Sequence, residues 1–291
     1  MRSRSRAERR PPALATTALA TLLALAVAGC ADGSGDTRPS EGAPSEVRER
    51  RTVPAKAPAL LESGERVLFI GDSLAVEAPP NYPELLPAAL AELGADAVET
   101  VNLAEPGTTA ADWLPGGELF DQRLEPELSG ADVVVLTLGG NDLQEALGAA
   151  DGVDALSGAS LDSAGAALAA IDRLGRQLER ITNAIRRRSA DARVVSVGYP
   201  DYTQAGVWRQ TRSDGGLLAL ELGLSALVGA AESADPDLLI DMRKPTRRAG
   251  VDGLLADAEH LGPAGHELYA ERLARELTRP QALEAAAAPD S

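Results

Sequence analysis

The sequence has very little cysteine, histidine or aromatic side chain, and each shortage limits what the protein can be. There is one cysteine and there are two histidines in 291 residues. A single cysteine excludes an intrachain disulfide, and so few soft ligands argue against a structural zinc site. Aromatic residues make up only 3% of the chain, so the core must be built from Leu, Val, Ile and Ala. We expect no metal site and no cofactor.

Positive charge is also scarce. The chain has 28 basic and 44 acidic side chains, which gives a formal net charge of -16. A nucleic-acid-binding protein needs a basic surface to neutralise phosphates, so we expect no nucleic-acid partner. Charged residues at 25% and hydrophobic residues at 44% are ordinary for a globular protein, and most of the chain should therefore fold.

The N-terminus has the pattern of a secretory signal. Five arginines lie within the first ten residues, and residues 13–29 carry no charge. This run ends in Val27-Ala28-Gly29-Cys30, a quartet that resembles a bacterial lipobox. The resemblance implies cleavage before Cys30 and a lipid on its sulfur, with the protein anchored on the outer side of a membrane. The alternative is an uncleaved membrane helix in which the cysteine is incidental.

Composition divides the chain into four parts. Residues 1–29 are the predicted signal peptide, and residues 30–64 form a tether whose prolines and polar side chains cannot bury enough surface to order it. Residues 65–279 are the predicted folded domain, and residues 280–291 a tail. No further long apolar run exists, and we expect the protein to be a monomer.

Within the predicted domain, short apolar runs typical of buried strands alternate with helical patterns. The strands are predicted at 67–70, 98–101, 133–138, 194–197 and 238–240, and the helices at 87–93, 168–185 and 263–277. This alternation predicts an α/β fold with a parallel sheet. In such sheets the ligand site lies beyond the carboxyl ends of the strands.

Four polar motifs lie at these strand ends or could face the same edge of the sheet. They are Gly71-Asp72-Ser73-Leu74, Asn102-Leu103-Ala104-Glu105-Pro106-Gly107, Gly139-Gly140-Asn141-Asp142 and Asp257-Ala258-Glu259-His260. A serine nucleophile needs a histidine to take its proton, and the histidine needs an acceptor that orients it. Main-chain N–H groups and an Asn side chain could bind the oxyanion.

The four motifs together resemble the SGNH hydrolases, also called GDSL esterases and lipases, over residues 67–276. The resemblance implies a three-layer α/β/α sandwich with a central, mostly parallel, flavodoxin-like sheet. It also implies Ser73 as nucleophile, His260 as base and Asp257 as the residue that orients it. The oxyanion hole would consist of the Ser73 and Gly107 N–H groups and the Asn141 amide, with Asp72 and Asp142 supporting their loops.

Each assignment has an alternative. Ser73 could be only a helix N-cap, and Asn141 could bond its own loop. His266 is the rival base, and Asp252 is the rival of Asp257 as the residue that orients it. Position 75 is Ala, so the serine is not in the Gly-x-Ser-x-Gly elbow of α/β-hydrolases.

The sequence therefore predicts an extracytoplasmic, membrane-anchored serine esterase. Its substrates would be short acyl or acetyl esters, or lipid or sugar esters, cleaved through an acyl-enzyme. Two alternatives use the same fold: an acyltransferase, in which a hydroxyl instead of water attacks the acyl-enzyme, and a surface binding module that has lost activity.

Overall fold

The computed structural model describes residues 59–146, 161–211 and 214–280. Within these residues the strands are β1 (Arg66–Gly71), β2 (Glu99–Asn102), β3 (Val133–Thr137), β4 (Arg193–Val197) and β5 (Leu238–Ile240). The α-helices are α1 (Tyr82–Ala91), α2 (Gly140–Ala146), α3 (Leu161–Arg188), α4 (Gly206–Thr211), α5 (Asp214–Ser233), α6 (Arg243–Ala249) and α7 (Pro263–Thr278). Shorter helical turns include Ser73–Ala75, Leu119–Leu124, Glu125–Gly130, Tyr202–Gln204 and Val251–Gly253.

The strands form one parallel sheet in the order β2-β1-β3-β4-β5. β3 is buried along its whole length, as expected for a central strand that is covered on both faces. The chain passes from β1 outward to β2, and then returns to the other side of β1 to form β3. The predicted α/β class with a parallel sheet is confirmed.

The helices form the two outer layers. α1 packs against α7, whereas α3 packs against α2 and α5. The β1-to-β2 and β3-to-β4 connections run in opposite directions along the sheet. Because parallel crossovers are right-handed, these connections place α1 and α3 on opposite faces. The result is the three-layer sandwich that the resemblance implied.

The prediction that the first helix begins at Pro87 was wrong. α1 begins at Tyr82, because Asn81 caps it: the Glu84 N–H donates to the Asn81 side chain, and the Asn81 N–H donates to Glu84 Oε2. Pro83 stands in the first turn, where a missing N–H costs nothing, and Pro87 lies inside the helix.

Several helices had no clear signal in the sequence. In α5, Leu220, Leu224 and Leu227 are buried, whereas Leu218 and Leu222 are exposed on the opposite side. Apolar side chains on both sides remove the 3.6-residue periodicity by which an amphipathic helix is recognised. α4 and α6 are only 6 and 7 residues long, too short for a periodic pattern.

The predicted signal peptide, Cys30, most of the predicted tether and residues 281–291 of the predicted tail lie outside the described residues. At the start of the described chain, the N–H groups of Leu60 and Leu61 donate to the carbonyl oxygen of Leu277, at 2.9 and 3.1 Å. Leu61 is buried, so the packed structure begins a few residues before position 65. Within residues 59–146, 161–211 and 214–280, no helix is both long and apolar enough to span a membrane.

Candidate active site

Ser73 and Asn141 follow two neighbouring strands at the point where the direction of winding reverses. Ser73 comes two residues after the end of β1, and Asn141 is the second residue of α2, shortly after β3. β1 and β3 are adjacent in the sheet, and their connections leave in opposite directions. A crevice opens at such a switch point, beyond the carboxyl ends of the strands. The sheet topology therefore brings the first and third motifs together.

Asp72 caps the short turn Ser73–Ala75. Its Oδ1 accepts a hydrogen bond from the Leu74 N–H at 3.0 Å. The alternative that Ser73 serves as the N-cap is therefore wrong, because the residue before it has that role. The Ser73 hydroxyl instead lies 3.2 Å from Nε2 of His260.

His260 lies between Ser73 and Asp257. Its Nδ1 is 2.8 Å from Asp257 Oδ2, and the other Asp257 oxygen accepts hydrogen bonds from the Glu259 and His260 N–H groups, each at 2.8 Å. The three side chains thus form a continuous chain of contacts from carboxylate to imidazole to hydroxyl. This is the geometry that a serine nucleophile requires.

Three contacts hold the loop that carries His260. The Leu255–Leu261 bridge closes its base, with the Ala256 N–H donating to the His260 carbonyl oxygen at 2.9 Å. The Tyr202 hydroxyl donates to the Glu259 carbonyl oxygen at 2.7 Å, and the Trp208 indole donates to that of Ala258 at 2.6 Å. Tyr202 and Trp208 follow β4 in sequence, so only the tertiary structure reveals that they position this loop.

The rival candidates have other partners. His266 is buried in α7, where its Nδ1 accepts a hydrogen bond from the Tyr82 N–H at 3.2 Å, and its ring stacks on that of Tyr82. Burial lowers the pKa of His266, which favours the neutral ring. Asp252 accepts the Gly206 N–H at 2.5 Å. Of the two histidines, His260 is the one in contact with Ser73.

Hydrogen bonds join the segments that carry the predicted oxyanion donors, through the neighbouring residues Thr108 and Gly71. The Asn141 amide donates to the Thr108 carbonyl oxygen at 2.8 Å. The Thr108 hydroxyl in turn donates to the Gly71 carbonyl oxygen at 2.9 Å. Gly107 has φ +76°, a left-handed conformation that favours glycine. Among the described residues, neither the Ser73 N–H nor the Gly107 N–H has a protein acceptor. Asn141 thus bonds the loop that contains Gly107 with one N–H of its amide. The amide has a second N–H, which can donate to an oxyanion.

A buried tyrosine connects the first and third motifs, and no sequence pattern pointed to it. The Tyr199 hydroxyl donates to Asp72 Oδ2 at 2.5 Å and accepts the Gly140 N–H at 2.8 Å. A Cβ atom at position 140 would lie 2.8 Å from the Tyr199 ring, which explains the glycine. Asp72 is 3% exposed, and burial raises its pKa to about 6 despite the hydrogen bonds from Tyr199 and Leu74.

Asp142 supports the second loop in a similar way. Its Oδ2 accepts the Ala110 N–H at 3.0 Å, which ties α2 to the loop that contains Gly107. Burial raises the pKa of Asp142, although this hydrogen bond opposes the shift. These contacts match the supporting roles that the resemblance implied for Asp72 and Asp142.

The charges around His260 favour its protonated form. Partial burial lowers the pKa of His260, but the hydrogen bond and charge of Asp257 and the charges of Glu77 and Glu259 outweigh burial, so this pKa lies above the ordinary histidine value. Partial burial raises the pKa of Asp257, but hydrogen bonds from Glu259 and His260 outweigh it, and the net pKa is lowered. The pair is therefore arranged to stabilise an imidazolium next to a carboxylate.

An apolar cavity opens beside Ser73 and His260. Its apolar lining includes large side chains from α2, α4 and α5: Leu143, Trp208, Leu220, Leu224 and Leu227. Gln144 and Glu259 line it as well and are bonded to each other, Nε2 to Oε2, at 3.3 Å. A cavity of this kind can hold an acyl chain next to the serine.

The described residues contain no group of three His, Cys, Asp or Glu side chains that could hold a metal ion.

Comparison with known proteins identifies a family. The model of the GDSL-like lipase/acylhydrolase family matches residues 69–268. A protein of Streptomyces rimosus named lipase is 31% identical over 169 residues, which are 55% of this chain and 55% of that protein. The chain thus matches about half the length of this relative.

Two solved structures share the fold. A crystal structure of an extracellular lipase from Streptomyces rimosus superposes with a TM-score of 0.55 and 19% identity, over 72% of this chain and 98% of that one. A phospholipase A1 from Streptomyces albidoflavus superposes with a TM-score of 0.58 and 20% identity, over 74% and 100%.

Proposed function

The chain belongs to the GDSL-like lipase/acylhydrolase family, and on that premise we propose that it hydrolyses carboxylic esters through an acyl-enzyme on Ser73. The observation that carries the proposal is the series of contacts from Asp257 through His260 to the Ser73 hydroxyl, at 2.8 and 3.2 Å. A protein that only binds a ligand does not need this series.

In the first half of the reaction, His260 Nε2 takes the Ser73 hydroxyl proton while Oγ bonds to the ester carbonyl carbon. The N–H groups of Ser73 and Gly107 and the Asn141 amide stabilise the oxyanion that forms. The imidazolium then gives its proton to the departing alcohol, and the acyl group remains on Ser73. Water attacks this acyl-enzyme in the second half, with His260 again taking the proton.

The substrate we propose is an ester whose acyl chain is short and apolar. The leucines of α5 and α2 line the cavity beside Ser73, and transfer of each methylene into such a site contributes about 0.8 kcal/mol. A series of p-nitrophenyl esters from acetate to decanoate, run beside an acetylated polysaccharide, tests this. A rise in kcat/KM with the first added methylenes supports the apolar site, whereas activity on the polysaccharide alone would contradict it.

Mutation of the nucleophile tests the mechanism. Ser73→Ala should lower the hydrolysis of p-nitrophenyl butyrate by about 10⁴-fold or more, because triad residues act as a unit. The matched control is Ser129→Ala, which changes an exposed serine and should retain full activity. Unchanged hydrolysis by folded Ser73→Ala would refute the mechanism. Adding an alcohol and measuring the ratio of transferred to hydrolysed acyl groups separates a hydrolase from an acyltransferase.

The proposal includes the location of the protein. Cys30, with its preceding Val27-Ala28-Gly29, supports a lipid anchor that holds the domain on the outer side of a membrane. Replacing Cys30 with Ser should move the protein from the membrane fraction to the soluble fraction after cell lysis. Retention in the membrane would indicate an uncleaved N-terminal helix instead.

A further inference from the structure

A second carboxylate, which none of the four motifs contains, lies close to His260. Glu77 Oε2 is 3.4 Å from His260 Nδ1, the same nitrogen that lies 2.8 Å from Asp257 Oδ2. Glu77 comes four residues after Ser73, and its N–H donates to the Ser73 carbonyl oxygen at 2.9 Å. The turn that presents the nucleophile therefore also presents an acidic side chain to the imidazole.

The turn that carries Glu77 is held in place on both sides. Its beginning is bonded to Ser73 through the Val76 and Glu77 N–H groups. Beyond Glu77, the Asn81 amide donates to the Val76 carbonyl oxygen at 3.1 Å, and the Tyr82 N–H donates to the buried His266. The carboxylate is thus attached to an ordered turn.

We propose that Glu77 is a positioning residue that shares with Asp257 the orientation of His260 and the stabilisation of its protonated form. The inference rests on the proposed function. At 2.8 Å, Asp257 is the hydrogen-bond acceptor of Nδ1–H, and at 3.4 Å Glu77 acts mainly through its charge. The Asp257 and Glu77 side chains are 57% and 42% exposed, so each has room to move and the second can take over when the first is lost.

Other charged or titratable groups also face His260. Glu259 lies on its own loop, Asp72 lies beside Ser73, and Tyr202 follows β4. Asp72 and Tyr202 are engaged with Tyr199 and the Glu259 carbonyl oxygen, respectively, and the Glu259 carboxylate bonds Gln144. Among the described residues, the carboxylates within 4 Å of His260 Nδ1 are instead those of Asp257 and Glu77.

The first test removes the charge of Glu77. Glu77→Gln should lower the pH-independent kcat/KM, reached above the acid limb, by about 1.5- to 5-fold, the rate equivalent of an exposed ion pair. It should also move the acid limb of the pH profile of kcat/KM to lower pH, because the imidazolium loses a neighbouring negative charge. The matched control, Glu92→Gln, removes an exposed carboxylate at the end of α1 and should change neither. An acid limb that stays in place in Glu77→Gln would overturn the proposal.

The second test is a double-mutant cycle. In a Ser-His-Asp triad with a single acceptor, replacing the Asp with Asn costs about 10⁴ in kcat. With Glu77 available we expect a smaller loss for Asp257→Asn and the full loss of about 10⁴ for the double variant with Glu77→Gln. Losses that are equal in Asp257→Asn and in the double variant would refute the shared role. Thermal melts confirm that each variant is folded.

These outcomes are separate from those that test the proposed function. Activity in folded Ser73→Ala would defeat the mechanism as a whole. If Ser73→Ala is inactive and the Glu77 variants behave like wild type, only the role of Glu77 is refuted.

Discussion

The buried carboxyl group of Asp72 should lower the free energy of unfolding as pH rises. The variant Asp72→Asn, whose side chain does not ionise, tests this prediction. The Asp72 carboxyl group is 3% exposed, and burial raises its pKa from 3.8 to about 6. The native state therefore holds this proton more tightly than the unfolded chain does. Between about pH 4 and pH 6 the unfolded chain loses the proton first, so the free energy of unfolding decreases as pH increases.

The size of the effect follows from the pKa difference. A shift of one pKa unit corresponds to 1.36 kcal/mol, so the difference between 3.8 and about 6 amounts to about 3 kcal/mol. The stability of Asp72→Asn relative to wild type should therefore rise by about 3 kcal/mol between pH 3.5 and pH 7.5. If the amide of the Asp72→Asn variant also changes the packing, it alters the free energy of unfolding by the same amount at every pH. Such an effect does not alter the pH dependence of the difference between the two proteins.

Urea unfolding of both proteins, measured across this range, provides the data. Asp191→Asn, which removes an exposed carboxylate, shows how much of the change comes from net charge alone. If the difference in stability between Asp72→Asn and wild type stays constant with pH, the pKa of Asp72 is the same in the folded and unfolded states, and burial does not raise it. A difference that falls with pH would mean that the hydrogen bonds from Tyr199 and Leu74 outweigh burial.

Three further predictions follow from the site. The kcat/KM of ester hydrolysis should fall as pH decreases through the pKa of His260, with a midpoint above the ordinary value of 6.5. A flat profile over about pH 5–8 would contradict the role of His260 as base. Tyr202→Phe removes the hydroxyl that bonds the Glu259 carbonyl oxygen. It should lower kcat by about fivefold, the equivalent of about 1 kcal/mol, with little change in KM. An unchanged kcat would show that this bond does not position the His260 loop. Leu224→Trp should fill the apolar cavity and reduce hydrolysis of butyrate more than of acetate p-nitrophenyl ester, and an equal loss on both would place the acyl chain elsewhere.

Much of the fold could be predicted from the sequence, because its signals are local. The buried strands are short runs of Val, Leu and Ile such as Val133–Thr137, and their alternation with helices is sufficient to predict a parallel sheet. α5 could not be predicted in this way, since its inner face lines the cavity while Leu218 and Leu222 face outward. Periodicity identifies a helix only when one side is polar.

The sequence by itself determined the contacts that are close along the chain. Asp257 and His260 are three residues apart, so one loop brings the carboxylate to the imidazole, and Asp72 caps the turn that begins at Ser73. Only the tertiary structure decided which histidine meets the serine, because Ser73 and His260 are 187 residues apart. Only the tertiary structure likewise reveals the roles of Tyr199, Tyr202 and Glu77, because their partners lie on other strands and loops. Such pairings depend on how a sheet is wound, and no spacing along the chain records that.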